Sequence, residues 1–213
     1  MNNEQNLAVL NFSNNSTVGM SLEYPEIFLE PGSEIRQSWV SDGLYMEKYS
    51  SYVSDSQISA FCHIGPRTSV GGFEHPTDNM SQSSFFWGQN TKLFPKSLSV
   101  LSGPSTHRPV ERRTTLEPDV WVGSNCVIKS GLKVALGSVL GAGSVLTKNT
   151  EPYGIYVGNP AKFLRFRFVE ETISKLVESK WWDLPLSVLS KIDFGQIQSA
   201  IQSVLESRKK FKN

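Results

Sequence analysis

The sequence has few of the features that mark secreted, membrane-bound or nucleic-acid-binding proteins. Its 213 residues include two cysteines, Cys62 and Cys126, which do not amount to a disulfide framework, and the formal net charge is +1. A charge this small gives no field toward nucleic acid or an anionic membrane. No apolar run approaches the roughly 20 residues that span a bilayer, and no basic stretch followed by an apolar one marks a secretion signal. We therefore expect a cytoplasmic protein without a nucleic-acid partner or a transmembrane segment.

The most informative feature that is present is a repeat of six residues in the second half of the chain. Large aliphatic residues recur there at Val122, Ile128, Val134, Leu140 and Leu146. A small or aliphatic residue stands two positions before each of them, at Val120, Cys126, Leu132, Ser138 and Ser144. This period is neither helical nor a simple strand alternation. It predicts short strand segments joined by corners, three of which close one coil of a triangular prism, with coils stacked at the ~4.8 Å spacing of paired strands.

An earlier block has the same period. Its large inward positions are Met46, Tyr52, Ile58, Ile64 and Val70, and the small positions are Ser56, Cys62 and Thr68. The two cysteines fall at small positions, which predicts buried free thiols. Val70 and Val122 are separated by a number that is not a multiple of six, so the two blocks are interrupted by something other than regular coil. Glycine follows the large residue at Gly65 and Gly71 in this block and at Gly123 and Gly141 in the other. The alternative, a β-sandwich with chance spacing, does not explain two blocks with matching small and glycine positions.

These blocks divide the chain into three parts. Residues 1–45 form an N-terminal segment with no readable pattern, 46–160 the repeat domain, and 161–213 a helical region. The repeat domain contains an inserted loop, 72–117, too aromatic for a disordered linker. Its aromatic residues are Phe73, Phe85, Phe86, Trp87 and Phe94.

The C-terminal region predicts two helices. FVEETISKLVESKWWD has an apolar stripe at helical spacing, formed by Val169, Ile173, Leu176 and Val177. A second helix lies around FGQIQSAIQSVLESRKKF and ends in a basic run, which is most simply a solvated face that complements the helix dipole. Trp181 and Trp182 are expected to pack the first helix against the coil.

Several motifs together resemble the xenobiotic acetyltransferase branch of the hexapeptide-repeat acyltransferases. They are FCHIGPRTSVGG followed by HPTD, then DVWVGSNCVI, GAGSVLTK, GNPAK and KWWDLPL, and they span roughly residues 45–192 in the family's order. The resemblance implies a left-handed parallel β-helix with C-terminal helices. It also implies an O-acetyltransferase that uses acetyl-CoA, usually a homotrimer with active sites between subunits. Acceptors in this branch include streptogramin antibiotics, chloramphenicol and sugars.

His75 is the candidate catalytic residue because it stands at the position of the family's HP-type motif. A hydroxyl is a weak nucleophile at neutral pH, so acetyl transfer needs a general base that titrates near neutrality, as imidazole does. A loop histidine that only forms hydrogen bonds is the alternative. Asp78 is open between orienting the imidazole, binding the acceptor and a turn role. His63 should face outward beside inward Ile64, as a surface histidine or in the same cleft.

The resemblance also places the cofactor. Ser124 and Ala142 match positions that contact the pantetheine arm, and the positions that bind its nucleotide end are matched by Thr147, Lys148, Lys162 and Arg165. Small side chains let the arm approach the backbone, and the three cations supply local charge for the phosphates. Trp121 matches the tryptophan of the family's DVWIG motif. It precedes inward Val122 and should point outward, where the family's arrangement implies an interface between subunits.

Two other classes of function remain as alternatives. A carbonic-anhydrase-like metal enzyme on the same coil would collect histidine ligands around zinc. The chain has three histidines, His63, His75 and His107, but no closely spaced pair on the coil, and we expect no metal site. A non-catalytic scaffold would need no histidine in an aromatic loop. For the acceptor, HPTDNMS with a following aromatic cluster resembles the family members that acetylate sugars of surface-polysaccharide pathways more than those that inactivate antibiotics.

Overall fold

The fold is built from three β-sheets, A, B and C. Successive strands along most of the chain belong to sheets A, B and C in that repeating order. A computed structural model describes residues 44–46, 56–72, 74–75, 77–82 and 113–211, and the backbone of short strands at 28–29, 34–36, 39–40 and 52–54. Sheet A contains β1 (Phe28–Leu29), β4 (Tyr45–Met46), β7 (His63–Ile64), β10 (Trp121–Val122), β13 (Val139–Leu140), β15 (Gly154–Val157) and β16 (Lys162–Phe166). Sheet B contains β2 (Glu34–Arg36), β5 (Tyr52–Ser54), β8 (Ser69–Gly71), β11 (Val127–Ile128) and β14 (Val145–Leu146). Sheet C contains β3 (Trp39–Val40), β6 (Ser56–Ile58), β9 (Thr114–Leu116) and β12 (Lys133–Val134).

From β1 to β11, each strand pairs in parallel with the strand three elements further along the chain. The chain therefore turns through sheets A, B and C in order, and each turn is one coil of a three-sided prism. Inward residues stack in register, as in the row Ile64, Val122 and Leu140. We name the three edges of the prism by the sheets they join: corner AB, corner BC and corner CA.

The hexapeptide positions fill the core as the sequence predicts. Val122, Ile128, Val134, Leu140 and Leu146 are each at most 2% exposed, and so are the small residues Cys126, Ser138 and Ser144. Burial of one such aliphatic side chain contributes roughly 1.5–3 kcal/mol. The prediction of buried free thiols is confirmed for Cys62 and Cys126, and burial raises the pKa of the Cys62 thiol to about 12.

The prediction for Tyr52 is wrong by one residue. Val53, and not Tyr52, is the register partner of inward Val70, while Tyr52 is opposite Ser69. The steps from Met46 to Val53 and from Val53 to Ile58 are therefore seven and five residues, and a strict count of six crosses this irregularity without detecting it.

The inserted loop leaves the coil at corner BC. Inward Val70 and inward Leu116 are 46 positions apart, where the regular step is six. The predicted end of the loop at residue 117 is too late, because Thr114–Leu116 forms β9 between β6 and β12.

The coil also begins earlier than the sequence predicts. The strands β1, β2 and β3 already pair within the sheets before residue 46, where the sequence places the start of the repeat. Phe73, Phe85, Phe86, Trp87 and Phe94 lie outside the described residues.

The last coil is closed by side chains and by an antiparallel strand. Over sheet C, Lys133 N donates to Asn149 Oδ1 at 2.9 Å and Ala135 N donates to Thr150 Oγ1 at 2.7 Å. The two side chains thus satisfy the edge of β12, which no further strand covers among the described residues. Beside them, β16 folds back antiparallel on β15.

Three helices and a 3₁₀ turn pack on corner CA. They are α1 (Glu170–Ser179), the 3₁₀ turn (Trp181–Asp183), α2 (Leu186–Leu189) and α3 (Ile197–Phe211). The two predicted helices are confirmed, but the stripe of α1 is only partly buried, because Val169 and Val177 are exposed while Leu176 is buried. Trp181 stacks on Phe61 of corner CA with ring centroids 5.3 Å apart, as its predicted packing role requires.

Arg208 closes α1 from the side of α3. Its guanidinium donates to the backbone carbonyls of Ser179 and Lys180, which the last turn of α1 leaves without helical partners. Lys209 and Lys210 are exposed, as expected for a solvated basic face, and Lys212 lies outside the described residues. Within the described part of the chain, no helix is long and apolar enough to cross a bilayer.

Candidate active site

His75 lies in the first turn of the inserted loop, just beyond β8. Its imidazole is exposed, and Nδ1 lies 2.6 Å from the backbone carbonyl oxygen of Gln82, seven residues further along. A carbonyl oxygen only accepts hydrogen bonds, so Nδ1 carries the proton in this contact. The neutral ring then has its lone pair on Nε2. The described part of the loop thus fixes the tautomer that a general base needs.

An ion pair ties the root of this loop to the coil. Glu74 Oε1 lies 3.1 Å from Lys129 Nζ, and Lys129 directly follows β11 at corner BC. Neither residue belongs to the six-residue pattern, so the period gives no signal for this pair. Asp78, further along the loop, is exposed and makes no hydrogen bond or ion pair with another described residue.

Ser124 and Ala142 lie together at corner AB. They occupy the same place in consecutive coils, and Gly143 N donates to Ser124 O at 2.8 Å. The backbone N–H groups of Ser124 and Ala142 make no hydrogen bond with any residue that the structure describes. Corner AB therefore presents two unused backbone donors beside small side chains.

Corners AB and BC are the two edges of sheet B, so sheet B connects the two groups of predicted site residues. Its outer face carries the register row Ser69, Val127 and Val145. Val127 is 44% exposed, and the other two are partly exposed. The structure brings Ser124 and Ala142 to one edge of this narrow face and the root of the His75 loop to the other.

The predicted phosphate-binding residues lie at the closed end of the coil. Thr147 and Lys148 follow β14 at corner BC, whereas Lys162 and Arg165 lie on β16 beside β15. All four are exposed, and among the described residues none of the three cations forms an ion pair. Arg165 Nη1 donates to the carbonyl oxygen of Phe166 at 3.0 Å.

The other predicted residues are placed away from this face. His63 lies on the outer side of sheet A, partly buried, edge-on to Tyr45 at 5.0 Å between ring centroids. Trp121, in the same register row, is 52% exposed and points outward as predicted. His107 lies outside the described residues. Within the described ranges, no group of three or more His, Cys, Asp and Glu side chains could hold a metal ion.

Comparison with known proteins assigns this coil to a family. No model of a known family matches the chain. It is 36% identical to a chloramphenicol acetyltransferase from Escherichia coli over 137 residues, which cover 63% of this chain and 62% of that protein. It is 30% identical to a probable macrolide acetyltransferase from Lysinibacillus sphaericus over 141 residues, 65% of this chain and 75% of that protein. The chain belongs to the hexapeptide-repeat acetyltransferases, in their xenobiotic acetyltransferase-like branch.

A solved structure has the same fold at low sequence identity. The maltose O-acetyltransferase from Clostridium difficile 630 superposes with a TM-score of 0.50 and 19% identity, covering 74% of this chain and 71% of that one. The chain spans less than two thirds of the length of the E. coli chloramphenicol acetyltransferase.

Proposed function

We propose that this chain is an acetyl-CoA-dependent O-acetyltransferase that acts on a hydroxyl of a small molecule or sugar, with His75 as general base. The observation that carries the proposal is the contact of His75 Nδ1 with Gln82 O, at 2.6 Å, in a member of this family. In the neutral ring, this contact leaves the lone pair on Nε2, which is the arrangement that a general base needs.

The proposed reaction is a direct transfer. Nε2 of His75 removes the proton of the acceptor hydroxyl while the hydroxyl oxygen attacks the thioester carbonyl of acetyl-CoA. The tetrahedral intermediate collapses with loss of the CoA thiolate, which takes the proton back from the imidazolium. No covalent enzyme intermediate is needed, and the buried thiols of Cys62 and Cys126 take no part.

Acetyl-CoA fits the features of sheet B and its closed end. The unused N–H groups of Ser124 and Ala142 can donate to the amide carbonyls of pantetheine. Thr147, Lys148, Lys162 and Arg165 would then face the nucleotide, where exposed cations without ion-pair partners among the described residues can contact phosphates. No part of this placement needs a positive field from the whole chain, whose net charge is +1.

Two classes of acceptor are candidates. The HPTDNMS motif favours a sugar of a surface-polysaccharide pathway. The relatives favour the alternative, an antibiotic acceptor of the chloramphenicol or streptogramin type, because chloramphenicol and macrolide acetyltransferases match about two thirds of the chain. A panel with chloramphenicol, a streptogramin, a macrolide, galactosides and maltose, read by release of free CoA thiol, separates the two classes.

The finer features of the family complete the proposal. We propose a left-handed coil, as in its β-helices, and a homotrimer with each active site between two subunits. A cytoplasmic location agrees with two free thiols, which persist in a reducing compartment.

Replacement of His75 tests the proposed base. His75→Ala should lower turnover by ~10²–10⁴-fold, the usual contribution of a general base, with acetyl-CoA binding nearly unchanged. The matched control is His63→Ala, a partly buried histidine on sheet A, which should retain turnover. Near-normal turnover in His75→Ala would remove His75 from the mechanism, whereas loss of turnover in the control as well would mean that the effect is not specific to His75. Thiol release gives the turnover, and calorimetric titration with CoA gives the binding.

A further inference from the structure

Arg67 lies exposed at corner AB, the edge of sheet B along which the pantetheine arm is proposed to bind. In its own coil it occupies the place that Asn125 and Gly143 occupy in the next two coils. The backbone shows this equivalence, because Asn125 N donates to Pro66 O in the same way as Gly143 N donates to Ser124 O. Arg67 therefore lies one coil beyond Ser124, on the side away from the closed end.

The guanidinium of Arg67 is held at one side and open at the other. Its Nε donates to Asn125 Oδ1 at 2.8 Å, from one coil to the next. Among the described residues, this is the only hydrogen bond or ion pair that the Arg67 side chain makes. Nη1 and Nη2 therefore keep all of their N–H donors, in the fixed fork that matches a carboxylate or a phosphate.

The charge of this fork indicates what it can bind. A guanidinium has donors only and keeps its positive charge throughout the physiological pH range, so it favours an anionic pair of oxygens over a hydroxyl or a carbonyl. Asn125 is neutral, and its contact orients Arg67 without cancelling the charge. Corner AB thus presents an oriented cation that has no counter-ion among the described residues.

The position of Arg67 relates this cation to the acceptor and not to the cofactor. The proposed phosphate contacts of CoA are at the closed end, and the proposed path of the pantetheine arm passes Ala142 and then Ser124. Neighbouring coils are ~4.8 Å apart, so the coil of Arg67 is the next one that the thioester end approaches. The same coil continues through β8 into the loop that carries His75. Arg67 is therefore at the level where an acceptor would meet the acetyl group.

We propose that Arg67, oriented by Asn125, selects an acceptor sugar that carries an anionic group, a carboxylate or a phosphate, beside the hydroxyl that is acetylated. This inference rests on the proposed acetyl transfer and names the class of its acceptor. The anionic group is bound and does not react, because the transfer still takes place at the hydroxyl activated by His75. Arg67 is thus a specificity-determining residue, and Asn125 is a positioning residue that acts through it.

Matched acceptors that differ in charge test the inference. Methyl glycosides of glucuronate, galacturonate and mannuronate are compared with their uronamides, which replace the carboxylate by a neutral amide of nearly equal shape. The 6-phosphates of the parent glycosides, compared with those glycosides, form a second arm that separates phosphate from carboxylate. Thiol release gives kcat/KM. At least one charged acceptor should exceed its neutral partner roughly 10- to 100-fold, the range of hydrogen bonds to a charged group.

The negative outcomes of this panel are distinguishable. Equal or lower kcat/KM with every charged acceptor would overturn the inference, and so would turnover of neutral acceptors alone, although the acetyltransferase would stand. If neither these sugars nor the antibiotics released thiol, the proposed function would fail together with the inference.

Two variants and a control assign the preference to Arg67. Arg67→Asn removes the charge with a residue that tolerates left-handed backbone, which position 67 has with a φ of 56°. The preference for the charged acceptor should then fall to near unity. The matched control, Lys191→Met, removes a charge from an exposed residue of the helical region and should keep the full preference. Asn125→Gly frees Nε of Arg67 and should raise KM for the charged acceptor several-fold, with little change in kcat.

Two results with these variants would refute acceptor selection. An unchanged preference in Arg67→Asn would show that another group recognises the charge. An equal loss of kcat with charged and neutral acceptors would mean that the guanidinium acts on the acetyl group. If Arg67→Asn did not fold, the acceptor pairs together with Asn125→Gly would decide, and an unchanged KM for the charged acceptor in Asn125→Gly would overturn the inference.

Discussion

The contacts around His75 contribute little to the stability of the fold but matter for the position of its side chain. The Glu74–Lys129 pair is about half exposed on both sides, and such pairs contribute roughly 0–1 kcal/mol to stability. Its importance is geometric, because it ties the residue next to His75 to the end of β11. The contact with Gln82 O then orients the ring within the loop. These two weak contacts thus help to position an exposed side chain.

At the same scale, the exposed lysines at the closed end of the coil predict a defect in cofactor binding. Replacing Lys148 and Lys162 together with Met should raise the Michaelis constant for acetyl-CoA several-fold. Each exposed phosphate contact is worth on the order of 1 kcal/mol and weakens with salt. Turnover at saturation should change little, because the phosphates are bound equally in the ground and transition states. Steady-state kinetics at two salt concentrations measure both quantities.

A donor without a nucleotide is the control for this double variant. A truncated acetyl-pantetheine thioester should not distinguish the variant from the wild type. If turnover were lost with both donors, the two lysines would be structural, and the proposed position of the cofactor would be wrong.

At the scale of elements, the corners of the coil limit which residues can follow a strand. At corner AB, a Cβ on Gly123 would lie 2.7 Å from Ala142 N and 2.9 Å from Leu140 O, both backbone atoms of the next coil. Gly143 differs, since it has a φ of +74° and open space around the Cβ position. One glycine is required by close packing of coils and the other by backbone conformation.

Substitutions at these two glycines should therefore differ. Gly123→Ala should lower the free energy of unfolding by about 1–3 kcal/mol, the usual cost of overpacking, because neither neighbouring atom can move without its coil. Gly143→Asn should cost less, since asparagine tolerates left-handed backbone and has space there. Urea denaturation of both variants measures the difference. Equal losses would mean that the coils can separate at corner AB.

At the scale of the whole molecule, two large apolar residues are exposed on different faces of the coil. Trp121 is 52% exposed and Val127 is 44% exposed, on the outer faces of sheets A and B. The proposed homotrimer should give a mass three times that of one chain by light scattering. Specific activity should fall when dilution dissociates it, and a fully active monomer would exclude a shared site.

The contact between coil and helices predicts a pH dependence of stability. Burial raises the pKa of the Asp119 carboxyl, and Arg167 offsets this effect only in part. The folded state then binds more protons than the unfolded state between the ordinary and the raised pKa, so this group's contribution to stability is full below the ordinary value and is lost as the pH rises through the raised one.

Comparison with Asp119→Asn isolates that contribution. The free energy of unfolding of the wild type, relative to the variant, should fall as the pH rises above the ordinary aspartate pKa, and then level off. Urea denaturation at a series of pH values checks the sign. A relative stability that rose with pH would mean that the Arg167 contact outweighs burial.

The sequence determined the coil, because a period of six fixes which side chains point inward wherever strands and corners alternate regularly. Every large position predicted in the second block is buried, as are the small positions Cys126, Ser138 and Ser144. The period failed at Tyr52. The steps from Met46 to Val53 and from Val53 to Ile58 are seven and five residues, which together equal two regular steps of six. It also gave no reading of residues before 46, although three strands there pair within the sheets.

Only the tertiary structure decided which residues meet. Ser124 and Ala142 become neighbours because one full coil separates them, and Glu74 reaches Lys129 across the root of the inserted loop. Asp119 belongs to the DVWVG motif, but its contacts with Arg167, which also lies over the ring of Tyr153, join three separate parts of the chain that no single motif connects. Periodicity specifies the direction of each side chain relative to its own strand. Contacts between coils, loop and helices depend on stacking and packing, which the order of residues alone does not contain.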